Sequence, residues 1–231
     1  MNDNIIYDSG YISLVIQLIV GIIGCVGIFI PLLEKDKILT DIMIMETAVQ
    51  FIEFMFYLWL VFSIAARSVN VTAIRYFDWF ITTPIMLIST ILYMEYENNK
   101  IKKTYDKVTI QNIYNKHKDT IIKIIIFNFF MLLFGYLGET NTISKYYSIF
   151  IGFIFFFLSF YTIWIHFATH SNISSNLFIF LFITWILYGF AAILPTIPKN
   201  ISYNILDIIA KNFYGLFIVY KIIEINKSYK N

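Results

Sequence analysis

Residues 146–167 read YYSIFIGFIFFFLSFYTIWIHF, a run with no Asp, Glu, Lys or Arg that is continuously apolar rather than alternating. An α-helix rises about 1.5 Å per residue, so a run of this length crosses the roughly 30 Å hydrocarbon core of a bilayer. Period-two alternation, which a membrane barrel strand needs, is missing. Four similar runs precede it, at about Tyr11 to Leu33, Asp41 to Ala65, Val71 to Met94 and Ile121 to Leu137, and two follow, at Asn176 to Leu194 and Ser202 to Ile223. The expected fold is an all-α membrane protein, a seven-transmembrane helix bundle forming a single domain over residues 1–231. Such a bundle satisfies every backbone amide in lipid. The composition agrees. Of 231 residues 59% are hydrophobic and 14% charged, against about 25% charged in a soluble domain, which excludes an ordinary cytosolic enzyme. The chain reads as an integral, multi-pass protein partnered by the lipid bilayer.

The net charge of +2 matters through its distribution. Lys35 and Lys37 follow the first run, Lys100, Lys102, Lys103, Lys107, Lys116, Lys118 and Lys123 follow the third, and Lys221, Lys227 and Lys230 follow the last. The other side carries only Arg67, Lys145 and Lys199. Because Lys and Arg are retained on the cytoplasmic side, the N-terminus is expected outside and the C-terminus inside. Residues 95–120 read as a long, lysine-rich cytoplasmic loop, a solvated topology signal. The first run lacks the basic flank and cleavage site of a signal peptide, so it is taken as a retained helix. Cys25 has no partner cysteine, which rules out an intrachain disulfide or a cysteine metal cluster.

Six charged residues stand well inside these runs, away from their ends: Glu46, Glu53, Arg75, Asp78, Asp207 and Lys211. Each costs about 2.5–3.5 kcal/mol to insert, which marks it as functional. Asp207 and Lys211 are one helical turn apart. That lysine is either half of a salt bridge or an activated amine able to take an aldehyde cofactor as a Schiff base. In the third run Arg75, Asp78, Thr82 and Ser89 fall within about 60° of one another, and Pro84 removes a backbone bond that threonine hydroxyls can help replace. In the second, Glu46, Gln50, Glu53 and Tyr57 share a face, with the two glutamates about 10 Å apart along the axis. Three helices thus aim ionisable groups at one interior, which independent salt bridges explain poorly.

The stretch Arg75-Tyr76-Phe77-Asp78-Trp79-Phe80-Ile81-Thr82-Thr83-Pro84 and the stretch Asp207-Ile208-Ile209-Ala210-Lys211 resemble the third- and seventh-helix signatures of the microbial rhodopsins, with the match running from the second helix to the seventh. The resemblance implies all-trans retinal bound to Lys211 as a protonated Schiff base. It also implies Asp78 and Asp207 as counterions, with Asp78 the primary proton acceptor, Thr82 hydrogen-bonded to Asp78, and Arg75 one turn further toward the outside. The implied pocket residues are Trp79, Thr83, Met131, Gly135, Trp185, Tyr188 and Tyr57. Met86 falls where the family places a colour-tuning residue, and an apolar side chain there implies green absorption. Family members form trimers or pentamers, which implies a homo-oligomer.

The departures bear on function. Ser89 stands where family pumps place an acidic cytoplasmic proton donor, and serine does not titrate near neutral pH. No acidic residue lies between Tyr188 and Asp207, so the paired proton-releasing glutamates of some pumps are missing. Asn128 replaces an aspartate facing Thr83. Glu53 stands where many pumps have alanine and channelrhodopsins have a gate glutamate, while Glu46 lies near the level of Ser89. With the Asp78, Thr82, Ser89 triplet, these features look like the rhodopsins of giant viruses.

The leading expectation is therefore a light-driven outward proton pump, with Asp78 as acceptor and Glu46 as a displaced donor. The alternatives are a light-gated cation channel lined by Glu46, Gln50 and Glu53, and a slow-cycling light sensor, which the missing donor at Ser89 would suit. The transported ions would be protons or small cations. Nothing points to nucleic acid or to an enzyme: there is no Gly-rich phosphate loop and no HExxH. His166 and His170, at i and i+4, read as interfacial residues rather than metal ligands.

Overall fold

A computed structural model describes residues 2–65, 71–104 and 108–229. Arg67, Lys107 and Lys230, counted above in the charge asymmetry, lie outside the described residues. The chain forms α1 (Asn2–Ile28), α2 (Ile38–Ala65), α3 (Val71–Lys102), α4 (Ile110–Glu139), α5 (Lys145–His166), α6 (Asn172–Ile193), α7 (Thr196–Asp207) and α8 (Phe213–Ser228), with no strand among the described residues. A π-helical segment, Ile208–Asn212, joins α7 to α8. Its flanking residues Asp207 and Phe213 keep right-handed helical angles, so α7 and α8 together make the seventh crossing. Among the described residues, six helices are long and apolar enough to span a membrane unaided; the seventh crossing is divided by the π segment.

Consecutive helices pack side by side, and α1 closes the ring against α7 and α8. Polarity runs outside-in relative to a water-soluble protein. Phe29, Phe62, Phe150 and Tyr161 are exposed, whereas Glu46, Gln50, Glu53, Arg75 and Asp207 are buried. That distribution is stable only where the outside is hydrocarbon. The protein is an integral, multi-pass membrane protein with a seven-helix fold.

Helix α3 is the central post, with two thirds of its apolar window buried against 28% for α1, α4 and α6. It runs without interruption past Pro84. Thr82 and Thr83 hydroxyls donate to the carbonyls of Asp78 and Trp79 at 3.0 and 2.7 Å, next to the Phe80 carbonyl that proline leaves without a donor.

The expected loop over residues 95–120 is mostly helical. Helix α3 continues to Lys102, and α4 begins at Ile110 behind Thr109, whose side chain caps the Asn112 amide at 3.2 Å. No Gly or Pro interrupts residues 95–120, so polar helix formers extend both helices beyond the apolar runs. Lys116 and His117 close on Glu95 at 3.1 and 3.4 Å, holding the extensions together where α4 bends at His117.

Candidate functional site

The π-helical segment carries Lys211 into the middle of the bundle, where its side chain is 2% exposed. Extra backbone in a π turn shifts the helix register, a device that recurs at functional sites. Around the Lys211 Nζ stand Glu53 Oε1 at 2.5 Å, Asp78 Oδ2 at 2.9 Å and Asp207 Oδ1 at 3.5 Å. Helices α2, α3 and α7 thus each aim one carboxyl at a single amine. Glu53 is fixed from its other side by Gln17 of α1, whose Nε2 donates to Oε2 at 3.1 Å.

On the N-terminal side of α3, Arg75 holds the second cation of the cluster. Its Nη1 lies 3.3 Å from Asp207 Oδ2 and 3.3 Å from the Tyr57 hydroxyl, its Nε donates to Asn200 Oδ1 at 3.2 Å, and its Nη2 donates to Asn204 Oδ1. Tyr57 and Tyr188 donate to the two oxygens of Asp207, each at 2.7 Å. Asn200 and Asn204 continue the network by donating to Thr72 and Ser9 at 2.9 and 2.8 Å. Three acids therefore face two cations, all buried. Such a group is tolerable in hydrocarbon only when every charge meets an opposite charge or a hydrogen bond.

Toward the other end, the Ser89 hydroxyl bonds to Glu46 Oε1 and lies 2.9 Å from the Met86 carbonyl. Glu46 is seven residues from Glu53 on α2, about 10 Å along the axis, and on the opposite side of Lys211 from Arg75.

A cavity is lined in part by Lys211, and its walls include Trp79, Thr83, Met86, Met131, Gly135, Trp185 and Tyr188. The apolar, aromatic lining is that of a small-molecule site. Asn128 donates to Thr83 at 2.8 Å beside it. Two placements differ from the sequence reading. Tyr57, expected in the pocket, does not line this cavity and serves Asp207 and Arg75 instead. Thr82, expected on Asp78, bonds that residue's main-chain carbonyl rather than its carboxylate.

Sequence reasoning passed over Gln17, Asn200 and Asn204. A signal was there: Gln17 is a polar residue inside the first apolar run, and Asn200 and Asn204 sit one turn apart ahead of Asp207.

The family model of bacteriorhodopsin-like proteins matches residues 9–225. The chain belongs to the bacteriorhodopsin-like family. The match includes α1, which the sequence resemblance left out. Among solved structures, viral rhodopsin OLPVRII is 26% identical with a TM-score of 0.82, covering 95% of this chain and 98% of its own. Xanthorhodopsin, a light-driven ion pump with dual chromophore, is 18% identical with a TM-score of 0.74, covering 96% and 92%. The proton-pumping rhodopsin AR2 from the marine alga Acetabularia acetabulum is 18% identical with a TM-score of 0.73, covering 98% and 97%. These last two show the shared fold. No curated protein sequence matches the chain. Members of this family bind retinal through a Schiff base on a lysine, and the family comprises light-driven transporters and photoreceptors.

Proposed function

We propose that Lys211 carries all-trans retinal and that the protein moves protons outward across the membrane in the light. The observation that carries this reading is the lysine nitrogen's position between two sets of proton-exchanging groups. Asp78 lies 2.9 Å away on the side leading to Arg75, and the Glu46–Ser89 pair stands on the far side. The residues present fit the chromophore, because an apolar cavity walled by Trp79, Met86, Trp185 and Tyr188 is also lined by Lys211. When bound, retinal supplies the absorption of light and a change of shape at that nitrogen.

The chain's own residues supply the rest. Asp78 Oδ2 is placed to take a proton from the lysine nitrogen, and its other oxygen, Oδ1, makes no hydrogen bond among the described residues. Arg75, tied to Asp207, Asn200 and Asn204, guards the route beyond it. Glu46 is the acid on the opposite side that returns a proton, a role Ser89 cannot fill. The lysine asymmetry of the loops puts the Glu46 end inside and the Arg75 end outside, which makes transport outward. Neighbours of the same fold whose names describe proton or ion pumps support the assignment.

A cation channel is favoured by one observation: Glu46, Gln50 and Glu53 form a buried polar column with two carboxyl groups on α2 that meets Gln17 of α1 and runs alongside the lysine. Voltage clamp of cells supplied with retinal separates the two. A pump gives outward photocurrent that does not reverse between strongly negative and positive potentials, and Asp78→Asn abolishes it. A current that reverses with the Na⁺ or K⁺ gradient refutes the pump.

A further inference from the structure

The cavity lined by Lys211 is also lined by Gly138, Glu139, Lys145 and Ser148, where α4 ends and α5 begins. Lys145, Ser148 and Gly152 fall on one face of α5, at i, i+3 and i+7. A Cβ built on Gly152 would meet only the Met131 carbonyl of α4, at 3.6 Å, so this face is open toward the cavity. It leads from the end of the bundle to the aromatic walls around Trp185. Glu139 and Lys145 are partly exposed, which gives the cavity a mouth at the surface beside the α4–α5 connection.

Two lysines strap this mouth. Lys145 reaches from the start of α5 to the end of α6, where its Nζ donates to the Ile193 and Leu194 carbonyls at 3.0 and 3.4 Å. The last carbonyls of a helix lack intrahelical donors and favour a cation. Lys199, in the first turn of α7, donates to both carboxylate oxygens of Glu139 at the end of α4, each at 2.7 Å. Lys199 is buried, whereas the Lys145 bonds are exposed, so the Lys145 strap is the one that water replaces at little cost. Tyr146 and Tyr147, which follow Lys145, are exposed. Tyrosines collect at the membrane–water interface, and these two put the mouth at headgroup level.

We propose that this mouth between α4, α5, α6 and α7 is the route by which retinal reaches Lys211, and that the Lys145 strap is its gate. In a bilayer the polar aldehyde of retinal rests at headgroup level and its polyene lies in hydrocarbon. A mouth at that level meets the aldehyde first, which is the end that Lys211 must receive. Parting Lys145 from the α6 carbonyls frees the first turn of α5 from the last turn of α6, while the ion pairs of Lys211 with Glu53, Asp78 and Asp207 stay as they are. Once the ring has passed Ser148 and Gly152 the strap closes behind it. The inference rests on the reading of Lys211 as the retinal-bearing lysine.

The test is the rate at which a visible absorption band appears when all-trans retinal is added to the retinal-free full chain in lipid vesicles. Lys145→Cys is made together with Cys25→Ser, which leaves one thiol in the chain, and is labelled before retinal is added, either with methyl methanethiosulfonate or with a maleimide-linked polyethylene glycol. The expected result is a several-fold slower rise with the polymer than with the small label, to the same final absorbance. The polymer on Lys227→Cys, exposed at the other end of the bundle, should leave the rate unchanged. Lys145→Ala, which removes the strap, should load several-fold faster than wild type, whereas a merely structural lysine would leave the rate alone. A rate indifferent to label size at position 145, or slowed equally from position 227, overturns the proposal. So does loss of the band when the polymer is attached after the pigment has formed, because the label then distorts the bundle rather than blocking a route. If the wild-type chain forms no visible band, the reading of Lys211 falls and takes the route with it; a band whose rate ignores label size refutes the route alone.

Discussion

Asp78 and Asp207 both face Lys211, yet their removal should have opposite consequences for stability and transport. Asp207 accepts from Tyr57 and Tyr188 at 2.7 Å and pairs with Arg75 at 3.3 Å. Asp207→Asn leaves Arg75 as a buried cation without its carboxylate, a loss of about 3–5 kcal/mol for a broken buried pair. Arg75 keeps its bonds to Asn200 and Asn204, which places the cost near 3. One tyrosine hydroxyl then faces an amide N–H₂ instead of an oxygen, adding about 0.6 kcal/mol, the average for a buried polar contact within a membrane. Among the described residues the Asp78 carboxylate accepts only from Lys211, and that lysine keeps Glu53 at 2.5 Å. Asp78→Asn should therefore cost only about 0.6–1.7 kcal/mol. The difference of roughly 2 kcal/mol is about 30-fold in the unfolding equilibrium. Titrating the retinal-free proteins with SDS in mixed micelles, followed by circular dichroism, measures it. Asp78→Asn should be nearly as stable as wild type and transport nothing, and Asp207→Asn should be clearly destabilised. Equal destabilisation by the two variants would refute the assignment of Asp207 as the structural carboxylate.

Three further outcomes are expected. In Gly135→Ala the new Cβ lies 2.8 Å from Tyr76, a ring already packed edge-on against Trp79 at 5.0 Å; overpacking of about 1–3 kcal/mol should lower the yield of pigment on adding retinal, and a normal yield would show that Tyr76 can retreat. At the end of α8, Tyr229 donates to Asp36 at 2.5 Å, and burial together with that bond pushes its phenol up to about 12 from an ordinary value near 10. The neutral phenol is the form that makes the bond, so this clasp is fully present below pH 10 and is lost as pH rises through 12. Proteolysis of the C-terminal end should accelerate over that window in wild type, and Tyr229→Phe should remove the step. Reconstituted with retinal, the protein should absorb in the green because Met86 presents an apolar wall to the cavity; a blue maximum would contradict that role.

Much of this was legible from residues alone because hydrocarbon is an unforgiving solvent. Continuous apolar runs such as residues 146–167 can only be helices there, and an ionisable residue such as Lys211 or Asp78 inside such a run has only the bundle interior to face. The second helix's stripe from Glu46 to Tyr57, the polar face of the third and the Asp207–Lys211 pair followed from helical periodicity. The limits of the polar extensions did not. Residues 95–120 lack an apolar pattern and read as loop, yet without glycine or proline 95–102 and 110–120 continue as helix, and Lys116 and His117 lock onto Glu95.

The sequence by itself determined the seven crossings, the inward charges and the lysine at their centre, since each depends on one helix and its solvent. Tertiary structure alone decided which charges meet. Gln17 reaches Glu53 across 36 residues of chain, Asn200 and Asn204 converge on Arg75 from more than 120 residues away, and Tyr57 turns to Asp207 rather than to the cavity. Those pairings depend on how the helices are rotated about their axes and on the π-helical register at Lys211. Both are set by packing among all the helices at once, which no single helix encodes.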